Sequence, residues 1–226
     1  MSSTPCYMLP SLLFHPIKLT TQGTTTEWRP IRKIQEDAFE MTGNQAISYT
    51  EPPVTMILLR CESTDGPHRE AMIIVYMQIP VLDADILPQD HLARNPVKTI
   101  SASAVELENA YKRLRDGNCK HAPSFLGTCY VEQDSNGWVP GEYIFYLGVS
   151  VVPGIQFGTG RIGEGPYFDS DSEKRAEMRN GFKEAYSSIA ACDVGPWGLA
   201  GARDLFWDES TRKVSVHSTI LFCYRI

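Results

Sequence analysis

Two apolar runs separated by a polar turn constrain the fold of this chain more than any other feature of its sequence. The runs cover residues 54–60 and 71–79, and the polar segment between them contains a Gly-Pro pair. Apolar runs of this length around such a loop indicate an antiparallel hairpin. Pro80 ends the second strand, because proline has no amide proton to donate to a neighbouring strand. The first half of the chain is therefore predicted to contain a sheet.

The remaining apolar periodicity predicts two helices and two further strands. A helix is expected at 101–115, where apolar residues recur every three or four positions, and Gly117-Asn118 ends it. A second helix begins near Ser172, with an apolar face made by Met178, Phe182, Ala185 and Ile189. Residues 144–152 form a continuous apolar run and residues 213–220 alternate, so both are predicted strands. Strands and helices in this order predict an α+β fold.

Composition excludes several classes of protein. The 226 residues are 42% hydrophobic and 21% charged, which suits a packed domain. The formal net charge is −6 and no cluster of Lys and Arg is present, so nucleic acid is not expected as a partner. No apolar run approaches the length of about 20 residues that a membrane span needs. The first ten residues lack a basic region followed by an apolar stretch, so an intracellular, cytoplasmic protein is expected.

Neither the cysteines nor the glycine-rich loop of this sequence predicts a metal or cofactor site. Six scattered cysteines without a C-x-x-C pair indicate buried thiols rather than disulfides. Cys119, His121 and Cys129 are too few and too widely spaced for a structural zinc site, so no metal is expected. Residues 158–165 match G-x-G-x-x-G, but Pro166 rather than a helix follows directly in sequence, so this loop is interpreted as a connector and no cofactor is expected.

Three segments, taken in order, resemble the divergent protein-kinase-like proteins of filamentous fungi. They are residues 70–80, residues 119–154 with the motif Cys119-Lys-His-Ala-Pro-Ser-Phe-Leu-Gly127, and Arg203-Asp-Leu-Phe-Trp-Asp208 followed by residues 213–216. The resemblance spans about residues 55–220. It implies one domain over residues 1–226 with a truncated protein-kinase-like fold. An antiparallel-sheet N-lobe with one helix would occupy residues 1–150, and a reduced, mainly helical C-lobe would occupy residues 151–226.

The same resemblance implies that kinase chemistry has been lost. Ile74 stands where the family has its phosphate-binding lysine, and Leu199 stands where it has its catalytic base. Asp204 replaces one magnesium ligand and Ser218 the other. Phosphoryl transfer depends on these groups for positioning and charge neutralisation, so neither phosphotransferase activity nor ATP binding is expected.

Two functions remain open on the sequence. The first is a pseudokinase-like binding or scaffolding module with a protein partner or a homodimer, because the chain ends before the later kinase helices and would leave the helix at 178–189 partly uncovered. The second is a repurposed kinase-fold enzyme that acts on a small molecule in fungal metabolism.

The candidate cleft residues are Glu106, Glu108, Arg203, Asp204, Asp208 and His217. Of these, Asp208 is expected to cap a turn, Arg203 to pair with a carboxylate, and His217 to face the cleft or solvent.

Overall fold

The computed structural model describes residues 6–43, 45, 51–82, 100–196, 201–217 and 221–223. The chain divides into one unit made of Met1–Val105 and Leu126–Val149, and another made of Glu106–Phe125 and Ser150–Ile226. The first unit begins with the short helix α1 (Ser11–Phe14). Its strands are β1 (Ile17–Thr21), β2 (Thr24–Phe39), β3 (Val54–Ser63), β4 (Glu70–Gln78), β5 (Phe125–Glu132) and β6 (Tyr143–Ser150).

The six strands form a closed barrel in the order β1-β2-β3-β4-β6-β5. The predicted hairpin is confirmed: β3 pairs antiparallel with β4 from Val54↔Gln78 to Glu62↔Glu70. β2 pairs antiparallel with β3 along most of its length, with register shifts near Pro30 and Lys33. β1 pairs antiparallel with both β2 and β5, and the second of these contacts closes the barrel.

The barrel core explains why the hairpin runs are apolar without interruption. Alternate residues of β3 and β4, such as Leu59 and Ile73, belong to the main core cluster. The residues between them, including Leu58 and Ile74, are buried as well. A strand that is buried on both faces loses the alternation of a half-exposed strand and reads as one continuous apolar run.

The second unit combines one long helix with two small sheets. α2 (Ala102–Asp116) crosses the division between the units, and α3 (Pro166–Asp169) and α4 (Ser172–Ala190) follow it. One sheet has the order β10-β9-β7, made of β7 (Ile155–Gln156), β9 (Leu205–Asp208) and β10 (Lys213–Val216). The other pairs β8 (Val194–Pro196) with β11 (Leu221–Cys223), and a short 3₁₀ helix occupies Ala202–Asp204.

The hairpin of β9 and β10 covers the apolar face of α4. Asp171 caps this helix by accepting a hydrogen bond from the Lys174 amide, with 2.8 Å between the atoms. A Cβ on Gly181 would lie 2.9 Å from Val214 Cγ2, so helix and hairpin are in close contact. Met178, Ala185 and Ile189 are buried on the same face, and Phe182 is partly buried. The expectation that this helix face would be uncovered is therefore wrong.

The predicted fold class is wrong, although the individual elements were largely predicted. The first unit is a closed barrel because β1 reaches β5, where the resemblance implied the antiparallel-sheet N-lobe of a truncated protein-kinase-like fold. The region after residue 150 is not mainly helical, because residues 155–156, 194–196, 205–208 and 213–216 form strands. Short stretches such as Leu205–Asp208 alternate buried and half-buried side chains, which is the pattern of a small sheet packed on one face.

Candidate functional site

The joint between β1 and β5 in the barrel wall consists of a single residue pair. β1 pairs with β2 at five successive positions, from Ile17↔Trp28 to Thr21↔Thr24. With β5 it pairs at Thr20↔Thr128 alone. We call this joint the seam. Antiparallel pairing would continue toward residues 17 and 131, but no further pair forms between the two strands on that side of the bridge, which we call the open side.

A glycine lets β5 approach β1 at the single bridge. Gly127 has a φ of 125° and a Cβ at this position would lie 2.6 Å from the Thr20 carbonyl oxygen. Only glycine satisfies both the backbone conformation and the close contact at residue 127. We call the side of the bridge toward Thr21 and Gly127 the closed side. It depends on the absence of a side chain at residue 127.

A cavity of about 430 Å³ lies where the strands separate. We call it the seam cavity. It is bordered by α1 and its flanks, by the start of β1, by the end of β5 and by β6. The residues that line it are Leu9, Ser11, Leu12, His15, Pro16, Ile17, Lys18, Cys129, Val131, Glu132, Asp134, Ile144 and Tyr146.

A buried carboxylate holds the N-terminal wall of the seam cavity in place. Glu36 Oε1 accepts hydrogen bonds from the amides of Tyr7 and Met8, at 2.6 and 2.9 Å. Lys33 Nζ lies 2.7 Å from Glu36 Oε2. Burial alone would raise the pKa of Glu36, but the hydrogen bonds from Lys33, Cys6 and Tyr7 outweigh it and hold the pKa below its ordinary value. Trp138 Nε1 also donates to the Tyr7 carbonyl, at 2.6 Å.

The interior of the seam cavity is apolar and uncharged. Leu12, Ile17 and Ile144 are buried members of the barrel core. Burial raises the pKa of the Tyr146 phenol, and the neighbouring Cys129 sulfur raises it further. Burial also raises the pKa of Cys129. Both groups therefore keep their protons at neutral pH and offer no thiolate or phenolate to a bound molecule.

The rim of the seam cavity carries more negative than positive charge. Glu132 and Asp134 contribute two carboxylates, and the Asp134 carboxylate accepts a hydrogen bond from the Asn136 amide at 2.8 Å. Lys18 contributes the one lysine charge, and it lies 3.9 Å from the Glu27 carboxylate outside the cavity. The His15 ring lies 3.0 Å from the Ser11 carbonyl. An apolar interior below an acidic rim suits an amphipathic molecule with a cationic end.

None of the described residues singled out from the sequence lines the seam cavity. Ile74 is fully buried on β4, opposite Leu58. Glu106 and Glu108 lie on α2, where Glu108 forms an ion pair with Lys112 at 2.7 Å. Leu199 and Ser218, the predicted positions of the lost base and metal ligand, lie outside the described residues. The roles assigned to these positions stay predictions.

Two of the predicted cleft residues meet in the second unit. The His217 amide donates to the Asp204 carbonyl at 2.8 Å, and the His217 ring packs against Phe206 with 6.1 Å between ring centres. Burial lowers the pKa of His217 more than its backbone hydrogen bond and the charge of Asp204 raise it. The imidazole is therefore neutral at neutral pH. The Asp204 carboxylate accepts a hydrogen bond from the Gly201 amide at 2.9 Å.

The other two predicted cleft residues have structural surroundings. Asp208 caps the turn after β9, as predicted, by accepting hydrogen bonds from Ser210 and Thr211. These bonds lower the pKa of its carboxyl. Arg203 forms no ion pair with any residue that the structure describes, so its predicted carboxylate partner is not seen there. Its carbonyl accepts a hydrogen bond from the Gln156 side chain.

Sequence reasoning missed the seam cavity because no local motif marks it. Its lining comes from four separate elements, and its position depends on one strand pair that fails to continue. The available signal was Gly127, an isolated glycine within a strand, which indicates a close approach of another backbone.

Comparisons with known proteins give no family for this chain. No protein-family model matches it. The search of curated proteins finds no relative. Among the described residues, no three His, Cys, Asp or Glu side chains are grouped so that they could hold a metal ion. Within the same residues, no helix has the length and apolar character needed to cross a membrane.

Proposed function

We propose that this protein is a binding protein whose seam cavity holds a small amphipathic molecule with a cationic end. The observation that carries the proposal is the early separation of β1 from β5, which leaves about 430 Å³ over an apolar interior. Ligand sites commonly have volumes of about 300–1,000 Å³, and the mouth of a barrel is one of their usual places.

The apolar part of the ligand would supply most of the binding free energy. Each buried methylene contributes about 0.8 kcal/mol, whereas an exposed ion pair contributes about 0.2–1 kcal/mol. The buried side chains of Leu12, Ile17 and Ile144 would contact the chain of the ligand. Glu132 and Asp134 at the rim would select the charge of its end group. The affinity should therefore increase with the length of the ligand's apolar chain. The rim carboxylates should determine the preference for a cationic end group.

Binding is favoured over catalysis by the protonation of the cavity groups. Cys129 and Tyr146 are the groups of the interior that could act as nucleophile or base, and burial raises the pKa of both. A nucleophile needs a lowered pKa or an adjacent base. The enzyme predicted as an alternative would draw on the cleft residues that include Asp204 and His217 instead, and the His217 ring is buried beside Phe206.

A protein partner or a homodimer stays a separate prediction from the sequence. Sedimentation of the full chain at micromolar concentration tests it, since a clean monomer would contradict the homodimer. The small-molecule proposal does not depend on that result.

Calorimetric titration tests the proposed function. We expect octylamine to bind saturably with one site per chain, 1-octanol more weakly, and octanoate about tenfold more weakly than the amine because of the rim carboxylates. Val131→Trp fills the cavity from a wall position that is 39% exposed and should weaken octylamine binding at least about tenfold. Tyr130→Trp is the matched control, because Tyr130 is 42% exposed, adjacent and outside the lining.

Two results would overturn the proposed function. One is the absence of saturable heat with all three compounds. The other is equal octylamine affinity in the Val131→Trp and Tyr130→Trp variants, which would place the binding elsewhere.

A further inference from the structure

Two cysteines of the second unit converge on one serine. Cys119 lies just after α2 and Cys192 just after α4. Cys119 Sγ lies 3.5 Å from the Ser188 hydroxyl oxygen, and Cys192 Sγ donates to the Ser188 carbonyl at 3.5 Å. Cys119 also acts electrostatically on the Cys192 thiol. The two sulfurs therefore belong to one local cluster.

The backbone around the two thiols is held by hydrogen bonds, and both side chains are partly exposed. The Cys119 amide donates to the Leu114 carbonyl at 2.9 Å, and the Cys192 amide donates to the Ile189 carbonyl at 3.0 Å. Gly117 lies directly against Cys192, because a Cβ there would be 2.5 Å from the Cys192 sulfur. Both cysteines are partly exposed. A small reagent can therefore reach them, while their main chains are fixed.

We propose that Cys119 and Cys192 form a reversible disulfide by exchange with a small disulfide such as glutathione disulfide. One protein thiol loses its proton and attacks a sulfur of the reagent, and the first glutathione leaves as a thiolate. The second protein thiol then loses its proton and attacks the protein sulfur of the mixed disulfide, and the second glutathione leaves. The two protein thiols are oxidised, the reagent is reduced to two thiols, and the two protons pass to the departing thiolates.

The surroundings of Cys192 give this exchange a pH dependence. Burial raises the pKa of Cys192, and the charge of Cys119 raises it further. Because the thiolate is the attacking form, the disulfide should form faster as the pH rises. The other cysteines differ in their surroundings. Cys61 is fully buried in the barrel core, and Cys129 lines the seam cavity. The site is independent of the proposed ligand.

The disulfide would tie the end of α2 to the end of α4. It would close the chain between residues 119 and 192 and restrict the unfolded state. A cross-link of this kind in a chain of this size raises the melting temperature by about 5–10 °C.

Mass spectrometry of the full chain after incubation in glutathione redox buffers tests this inference. The remaining thiols are alkylated, the chain is digested and the cross-linked peptides are identified. We expect a Cys119–Cys192 peptide, its loss under reducing buffer, and a melting temperature that rises with oxidation. Cys119→Ser and Cys192→Ser should each abolish the rise. Cys6→Ser, which removes an exposed thiol of the other unit, should keep it.

Three results would contradict the inference. Complete alkylation of both cysteines in the oxidising buffer would show that no bond forms. A stable mixed disulfide on either cysteine would show that the second thiol cannot reach it. An unchanged rise in melting temperature in the Cys119→Ser variant would assign the stabilisation to other residues.

Discussion

The two sides of the seam differ in the size of the side chains that meet there. On the closed side, Gly127 has no side chain and lets β5 lie directly against Thr20 of β1. On the open side, Val131 and Glu132 of β5 have diverged from the start of β1, and the cavity occupies the gap. The same two strands therefore close the barrel at one end and border the seam cavity at the other.

The two sides of this strand pair are expected to affect different properties of the protein. The closed side would determine the stability of the barrel, and the open side would determine ligand binding. The closed side carries the contact that removes two strand edges, which an isolated sheet would leave exposed. The open side gives up those hydrogen bonds and exposes an apolar interior. Mutations on the closed side should therefore change the free energy of unfolding, and mutations on the open side should change ligand affinity.

The largest effect is expected from Gly127→Val. The substitution forces a β-branched residue into a φ of 125° and places its Cβ 2.6 Å from the Thr20 carbonyl oxygen. We expect the free energy of unfolding to fall by about 3–5 kcal/mol, from backbone strain and overpacking together. Urea denaturation followed by tryptophan fluorescence measures it.

Gly66→Val is the matched control for this prediction. Gly66 also has a positive φ, of 70°, but a Cβ there has no atom within 4 Å. The Gly66→Val variant should have the backbone strain without the clash, so its free energy of unfolding should fall by about 1–2 kcal/mol. Equal losses in the two variants would mean that the contact at Thr20 does not close the barrel.

A smaller effect is expected from Glu36→Gln, which acts on the wall of the open side. The neutral amide keeps an acceptor for the Tyr7 and Met8 amides but loses the charge that strengthens those bonds and the pair with Lys33. We expect a loss of about 1–2 kcal/mol in the free energy of unfolding. Thermal unfolding measures this loss, and octylamine affinity should fall at the same time because the wall loosens.

The Glu36 prediction has a defined pH dependence. The pKa of this carboxyl is lowered in the folded state, so its contribution to stability is present above the unfolded pKa of about 4.5. It is lost as the pH falls below that value and through the lowered folded pKa. The difference in stability between the wild type and Glu36→Gln should therefore shrink as the pH is lowered from about 4.5 through the folded pKa. A difference that stays constant over this range would contradict the role given to the charge.

The smallest effect is expected from the double substitution Glu132→Gln with Asp134→Asn at the rim. Removing two exposed carboxylates should weaken octylamine binding by about three- to fivefold, because each exposed charge pair contributes less than about 1 kcal/mol. Binding of 1-octanol should not change, and high salt should reduce the difference between the variants. An equal loss for the amine and the alcohol would point to a change in cavity shape instead.

The sequence predicted the elements whose information is local. The hairpin of β3 and β4 and the helices α2 and α4 each show their periodicity or apolar run within a short stretch. β2 did not, because its residues from Arg29 to Asp37 are rich in charge and its pairing with β3 contains two register shifts. Pro30 also argues against a strand in this stretch, because proline has no amide proton to donate to a neighbouring strand.

Closure of the barrel could not be predicted from local patterns. It depends on Thr20 meeting Thr128, two polar residues far apart in the chain whose own neighbourhoods favour no special pairing. The seam cavity is still harder to predict from the sequence, because its position depends on where the pairing of β1 with β5 ends. The predicted cleft residues followed from a family resemblance, and the structure places them outside this cavity.

Methyl NMR spectroscopy of the full chain during an octylamine titration tests the central claim most directly. If the open side of the seam is the binding site, the methyl resonances of Leu12, Ile17 and Ile144 should shift saturably and together. The methyl resonances of Ile73, which belongs to the barrel core but does not line the cavity, should not shift. Shifts confined to residues outside the cavity, or no saturable shift at Ile17 and Ile144, would contradict the account.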